Sequence, residues 1–346
     1  MKKRYRLISL MVLPLLLLMA CNEENTTHST EDGQDVIITI ATGSRSDGDD
    51  PKLGDAKDRY INRLRVMGYR ISDGKLAFNE KAYGFPDADT NTETYEGNIT
   101  VKTGKFTVVF IANEHADDLT ATLDDITESQ NNTLNYLKEQ VTFSRAAFDK
   151  DKDIPMVTVK KNITIQGENK LIDPQEGNTT INKWPIQMER IGIKLSLTLT
   201  ITEEQQTSLL AEGGKYFLHL YNVPEKAYLF ADNKIPVDYN DEALEFELGT
   251  DLNNDAIETW TWERIILPEN IFTPIDDTDK ALTLVIKQAG GAPHLKAFVR
   301  IDKNEENYTL PRNTFLDMEV FISTDRELEF NVSVNSWNDE EIEQEL

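Results

Sequence analysis

The sequence predicts an all-β protein, organised as two antiparallel β-sandwich domains in tandem. In Arg190 to Ile201 (RIGIKLSLTLTI) every odd position from Ile191 to Ile201 is apolar, with Gly192, Lys194, Ser196, Thr198 and Thr200 between them. Period two over that length marks a strand with one buried and one wet face, since a helix would scatter those side chains all round. Short β-rich runs with turn formers between them recur along the chain, and helix is scarce. Its best candidate is Thr133 to Glu139, with Leu134 and Leu137 on one face. Many short strands, regular turns and little helix together indicate sandwiches.

The chain opens with a basic flank, Lys2, Lys3, Arg4 and Arg6. A run from Leu7 to Ala20 follows, apolar apart from Ser9 and Pro14. A charged head before a greasy stretch shorter than the roughly 20 residues of a spanning helix reads as a secretory signal over residues 1–20. The chain's single cysteine, Cys21, comes next, so no disulfide can form within the chain and no metal site can be built from thiols. Residues 21–34 are polar and read as a flexible tether.

Order begins at Val36 to Ala41 (VIITIA), a short strand. It ends in Gly43 to Pro51 (GSRSDGDDP), a run of turn formers that cannot pack and includes Arg45. Ile61 to Ile71, the turn Ser72-Asp73-Gly74-Lys75 and Leu76 to Phe78 form the pattern of a hairpin. Tyr95 to Val101, Thr103-Gly104 and Phe106 to Ala112 repeat it. The boundary between the domains is placed after Gln187, giving 35–187 and 188–346. The second domain continues through Tyr216–Tyr221, Tyr228–Phe230, Leu244–Leu248, Ile265–Leu267, Leu282–Ile286, Leu295–Ile301, Phe315–Ile322 and Leu328–Val334, with a turn at Gly290-Gly291.

Composition narrows the partners. The formal charge is −25, and removal of the four leader cations lowers it to −29. Such a field repels nucleic acid and anionic headgroups, so membrane attachment has to come from elsewhere. No catalytic constellation emerges. His28, His115, His219 and His294 show no metal spacing, and no serine sits in a nucleophile elbow. His219, in an alternating strand, reads as structural. Asp149-Lys150-Asp151-Lys152-Asp153 begins like a calcium loop, but Ile154 replaces the glycine and Lys160 the glutamate of an EF-hand. A looser calcium site there, or at Asp276, Asp277 and Asp279, stays open beside the reading as solvated charge. Trp184, Trp260, Trp262 and Trp337 suit either a sugar platform or sandwich cores. No catalytic, cofactor or metal residue is assigned.

Two resemblances add to this reading. Leu18-Met19-Ala20-Cys21 resembles the lipobox of bacterial lipoproteins. It implies that the Cys21 thiol takes a diacylglyceryl group and becomes the mature first residue. Asn22-Glu23-Glu24 is similar to the acidic patch that accompanies export to the outer face of the outer membrane in Bacteroidetes.

The order of the further features resembles the fimbrillins of Bacteroidales, subunits of type V pili. The matching pieces are Val36 to Ala41 with its arginine-bearing loop, the Ile61-to-Ile71 strand, Thr103-Gly104 through Phe110-Ile111-Ala112-Asn113, and Met188 to Lys194. Leu310-Pro311-Arg312-Asn313-Thr314-Phe315 and Val332 to Trp337 complete the set.

The resemblance implies transthyretin-like domains, lipoprotein export and assembly by strand exchange. An arginine-specific protease cuts after the first strand, here at Arg45, and a neighbouring subunit's strand fills the gap. After Trp337 the tail offers only Ile342 and Leu346 among Asn338 to Leu346. It is a poor donor, since inserting it would bury unpaired carboxylates. The expected function is a tip or minor subunit of a surface fimbria, with other fimbrial subunits as partners and the outer membrane as anchor before cleavage. The alternatives are a stand-alone or anchor-like surface lipoprotein that binds a glycan or host protein, and a surface hydrolase.

Overall fold

A computed structural model describes residues 33–44, 56–86, 91–167, 170–177, 180–201, 216–230, 239, 242–248, 258–288, 293–301, 305–322 and 328–336. Cys21, Arg45 and the tail from Trp337 lie outside the described residues. The strands of the first half are β1 (Asp35–Ser44), β2 (Leu64–Arg70), β3 (Leu76–Tyr83), β4 (Thr94–Lys102) and β5 (Gly104–Ala112). They continue as β6 (Thr142–Ser144), β7 (Met156–Gly167), β8 (Lys170–Ile172), β9 (Thr180–Ile181) and β10 (Lys183–Arg190). The second half supplies β11 (Gly192–Ile201), β12 (Tyr216–Tyr221), β13 (Lys226–Tyr228), β14 (Leu244–Glu247) and β15 (Glu258–Pro268). β16 (Thr283–Gln288), β17 (Pro293–Phe298), β18 (Thr314–Ile322) and β19 (Leu328–Ser336) follow. The protein is all-β; among the described residues α1 (Thr120–Asp124) and α2 (Leu134–Gln140) are short α-helices beside a few 3-10 turns. At the predicted helix, the Thr133 side chain caps α2 by accepting from the Tyr136 amide at 3.1 Å.

The first sheet runs β3-β2-β5-β7-β10-β1-β4, with β8 and β9 beside β7. Only Glu189 and Arg190 of β10 pair with β7, so the path folds over there. Its two ends meet where the Tyr83 and Tyr95 rings stand 4.7 Å apart and the Tyr95 hydroxyl donates to the Ala82 carbonyl. Between the layers lies a core of Val36, Ile38 and Ile40 from β1, Trp184 from β10, and Val108 and Phe110 from β5.

The β2–β3 hairpin forms as the Asp-Gly turn predicts. The second expected hairpin does not. β4 pairs with β1, while β5 pairs with β2 and β7. Thr103 alone separates β4 from β5 and is buried, held by a mutual pair of hydrogen bonds with Gln34. One residue cannot reverse the chain within a sheet, so it turns a sandwich corner instead.

The second half holds two four-stranded sheets, β15-β11-β18-β19 and β14-β12-β16-β17. Ile193, Leu195, Leu197, Leu199 and Ile201 face the core between them, as the alternation requires. The chain changes sheet at Ile191, so RIGIKLSLTLTI is split between β10 and β11, and residues 188–190 remain in the first sheet. A third apolar cluster spans the halves, joining Met67, Ile111 and Leu137 to Ile191, Phe230 and Phe315. The short β6–β13 ladder crosses with it.

Candidate functional site

The first strand is enclosed on both edges. β1 runs parallel to β10, from Thr39 opposite Lys183 to Ser44 opposite Met188, and antiparallel to β4, from Asp35 opposite Lys102 to Gly43 opposite Thr94. The pleat sends Val36, Ile38, Ile40 and Thr42 inward, all buried, and leaves Ile37 44% exposed. Facing layers close over those side chains, with Trp184 edge-on to Phe110 at 5.1 Å. The Trp184 indole donates to the buried Asp173 carboxylate at 2.9 Å, and the Lys160 ammonium lies 3.2 Å from both Asp173 and Glu176. Lys102 meets Asp35 at 2.7 Å, which raises the lysine's pKa, and the Thr39 hydroxyl donates to Asn98 at 2.9 Å.

Where the described chain resumes after β1, a 3-10 turn at Ala56–Arg59 carries Asp58, which is 0% exposed. Its carboxylate accepts from Lys194 of β11 and from Arg264 of β15, each at 2.8 Å, and its carbonyl accepts from Arg190 at 2.8 Å. A carboxylate of the first half is thereby shared by two cations of the second, where burial makes the loss of that carboxylate costly. Lys194 sits on the face of β11 predicted to be wet. It is buried because the Asp58 turn covers that end of the strand.

Close by, Asn113 adopts a left-handed backbone, φ 60°, and its amide donates to the Tyr60 and Ile154 carbonyls. The buried Arg65 binds Glu114 bidentately at 2.7 and 2.8 Å and reaches Asp124 at 2.8 Å. Burial alone would lower the Arg65 pKa, but these carboxylates raise it. In the second half Arg312 binds Glu269 through two guanidinium nitrogens and caps the Leu229 and Tyr228 carbonyls. Burial nonetheless raises the Glu269 pKa against the pull of Arg312.

Several sequence motifs therefore carry junction and loop-anchoring residues. Arg190 and Lys194 come from Met188–Lys194, Asn113 closes FIAN, and Arg312 lies in LPRNTF. Asp58 and Arg264 were not legible, because a buried ion pair between residues 206 positions apart leaves no local pattern.

The remaining candidates meet partners within the fold. His115 pairs with Asp153 at 2.9 Å and Asn62 donates to Asp153 at 2.8 Å; burial would raise that carboxyl, but the two bonds hold it below the usual range. Lys152 donates to the Ala116 and Ala146 carbonyls from within the same acidic loop. Asp277 bonds Lys280 and the Asp279 amide. Among the described residues no three His, Cys, Asp or Glu side chains gather to hold a metal. Trp184 is buried, and Trp260 and Trp262 pack against the second core. No helix among the described residues is long and apolar enough to cross a membrane.

Comparison with known proteins agrees with this architecture. No curated protein matches the chain in sequence. The tip fimbrial protein Mfa3 from Porphyromonas gingivalis, solved with a C-terminal truncation, superposes with a TM-score of 0.54 at 15% identity, covering 88% of this chain and 100% of its own. A candidate cell adhesion protein from Parabacteroides distasonis does so with a TM-score of 0.52 at 14% identity, over 88% of this chain and 98% of its own. Residues 35–190 match the family model of the major fimbrial subunit protein FimA. That segment runs from the start of β1 to the end of β10, and through it the chain is similar to the fimbrial subunit family that its motif order resembles.

Proposed function

We propose that the chain is a structural and adhesive subunit, of tip or minor type, in a cell-surface fimbria assembled by strand exchange. The observation that carries this reading is the place of β1. It is a strand of ten residues, paired on both edges, with Val36, Ile38 and Ile40 filling the sandwich.

Export attaches a lipid to Cys21 and holds the protein at the outer membrane surface. Cleavage after Arg45 then releases β1 together with the anchor. The unpaired edges of β4 and β10, and the slot over Phe110 and Trp184, take up a strand from a neighbouring subunit. Backbone hydrogen bonds join the two chains and alternate side chains fill the core. The reading treats residues 35–187 and 188–346 as two sandwich domains, of which only the first gives up a strand.

The acidic residues after Trp337 support a subunit that accepts a strand without donating one, as a tip position needs. The subunit works by adhesion rather than catalysis, and a host protein or glycan is its outward partner.

N-terminal sequencing of surface-extracted protein tests the cut. A start at Ser46 is expected, whereas a start at Cys21 alone sinks strand exchange and leaves a tethered lipoprotein. Detergent-resistant filaments containing the chain are expected from the same extract.

A further inference from the structure

The slot that holds β1 is not filled along its whole length. Three of the four inward side chains, Val36, Ile38 and Ile40, are large and enclosed. The fourth is Thr42, which is 4% exposed and whose Oγ1 is buried without a hydrogen-bond partner among the described residues. Thr42 stands opposite Tyr95 of β4 and Ile186 of β10. These three residues, with Lys160 and Glu176, line an open cavity of about 590 Å³ at this end of the slot. The Lys160 ammonium is held by Asp173 and Glu176. A buried hydroxyl with nothing to bind costs free energy, and unfilled space beside it forgoes apolar contact. The resident strand is thus a poor fit at one register position and a good fit at three.

We propose that the Thr42 position is a specificity pocket, and that it selects a strand of another subunit bearing a larger apolar residue at that register. The inference rests on the strand-exchange reading for its partner, but the misfit itself belongs to the uncut chain. A leucine there reaches into the cavity between Tyr95 and Ile186, and no hydroxyl is left unsatisfied. The incoming strand then holds more tightly than β1 does, which gives replacement a direction beyond the loss of the covalent link.

Two measurements test this. In the full, uncut chain, Thr42→Val removes the hydroxyl at constant shape and Thr42→Leu also fills space. Thermal midpoints should rise by about 2–8 °C, with Leu at or above Val. A rise in Val alone traces the gain to the hydroxyl and overturns the pocket. A fall in both overturns it as well.

The second measurement uses full chain nicked by an arginine-specific protease, to which ten-residue peptides of the Asp35–Ser44 sequence are added, with threonine or leucine at position 42. The leucine peptide is expected to displace labelled β1 with an affinity higher by about tenfold. Equal or weaker binding overturns the pocket while strand exchange stands. If neither peptide enters although Thr42→Leu raised the midpoint, strand exchange fails and the misfit remains a property of the fold.

Discussion

β1 and β11 occupy the same topological place in their halves of the molecule. Each lies between a parallel neighbour from later in the chain, β10 or β18, and an antiparallel one, β4 or β15. Their attachments differ. β11 drives five aliphatic side chains into its core, Ile193 to Ile201, and ties Lys194 to the buried Asp58 across the junction. β1 contributes three aliphatics and a threonine, with one partly exposed ion pair at its start. Topology alone does not make a strand exchangeable. What distinguishes β1 among the described residues is a shorter aliphatic row and an ion pair that is partly exposed rather than buried.

The sharpest way to break the comparison is to remove the charge that fixes β11. Asp58→Ala leaves Lys194 and Arg264 facing each other without their shared carboxylate, and should cost about 3–5 kcal/mol in denaturant unfolding. Asp58→Asn keeps the shape and should lose most of the same amount. A loss under about 1 kcal/mol in both variants would mean that the node is solvated and that β11 is no better anchored than β1.

Next come the aliphatic rows. Leu197→Ala in β11 and Ile40→Ala in β1 each open a cavity at a residue with 0% exposure and should each cost about 2–5 kcal/mol. Their rescue separates them. After nicking, excess peptide of the unaltered β1 sequence should restore the Ile40→Ala protein towards the normal midpoint through binding linkage, and should leave Leu197→Ala unchanged. Rescue of neither variant would put the two strands on equal terms. A milder change, Ile38→Val, should cost about 0.5–1.5 kcal/mol and speed the release of β1 from nicked protein.

This difference between the strands was only partly written in local sequence. Alternation places Val36, Ile38 and Ile40 inward without any tertiary information, and it does the same for Ile193 to Ile201. Asn113 and Arg312 lie inside readable motifs, although not in readable roles. The corner at Thr103 reads locally as a hairpin because a threonine-glycine pair suits both, and the choice depends on which strand lies beside Tyr95 to Val101. Alternation puts Lys194 on the wet face because period two reports only that side chains alternate. Whether the second face meets solvent or another part of the chain is a long-range fact, and here the answer comes from Asp58, 136 residues earlier.

The smallest effect concerns acid, and it bears on which half opens first. His219 of β12 is buried on the outer face of its sheet, between Phe217 and Tyr221. Burial lowers its pKa, Lys287 of β16 adds to that, and Glu245 of β14, 3.6 Å away, opposes it. Lys296 of β17 stands opposite Val285, the ladder partner of His219, and adds positive charge to the same face. Because the folded value lies below the unfolded one, about 6.5, the unfolded chain takes up the proton first. Stability therefore falls as pH drops through that value and levels off once the native histidine also protonates. His219→Gln should flatten this slope between pH 7.5 and 5.5, by less than Ile38→Val changes the midpoint. Hydrogen exchange at pH 5.5 should show β12 amides losing protection relative to pH 7.5 while those of β1 hold. Equal loss in both strands would mean that acid acts on the molecule as a whole, and that the second sandwich owes none of its acid sensitivity to His219.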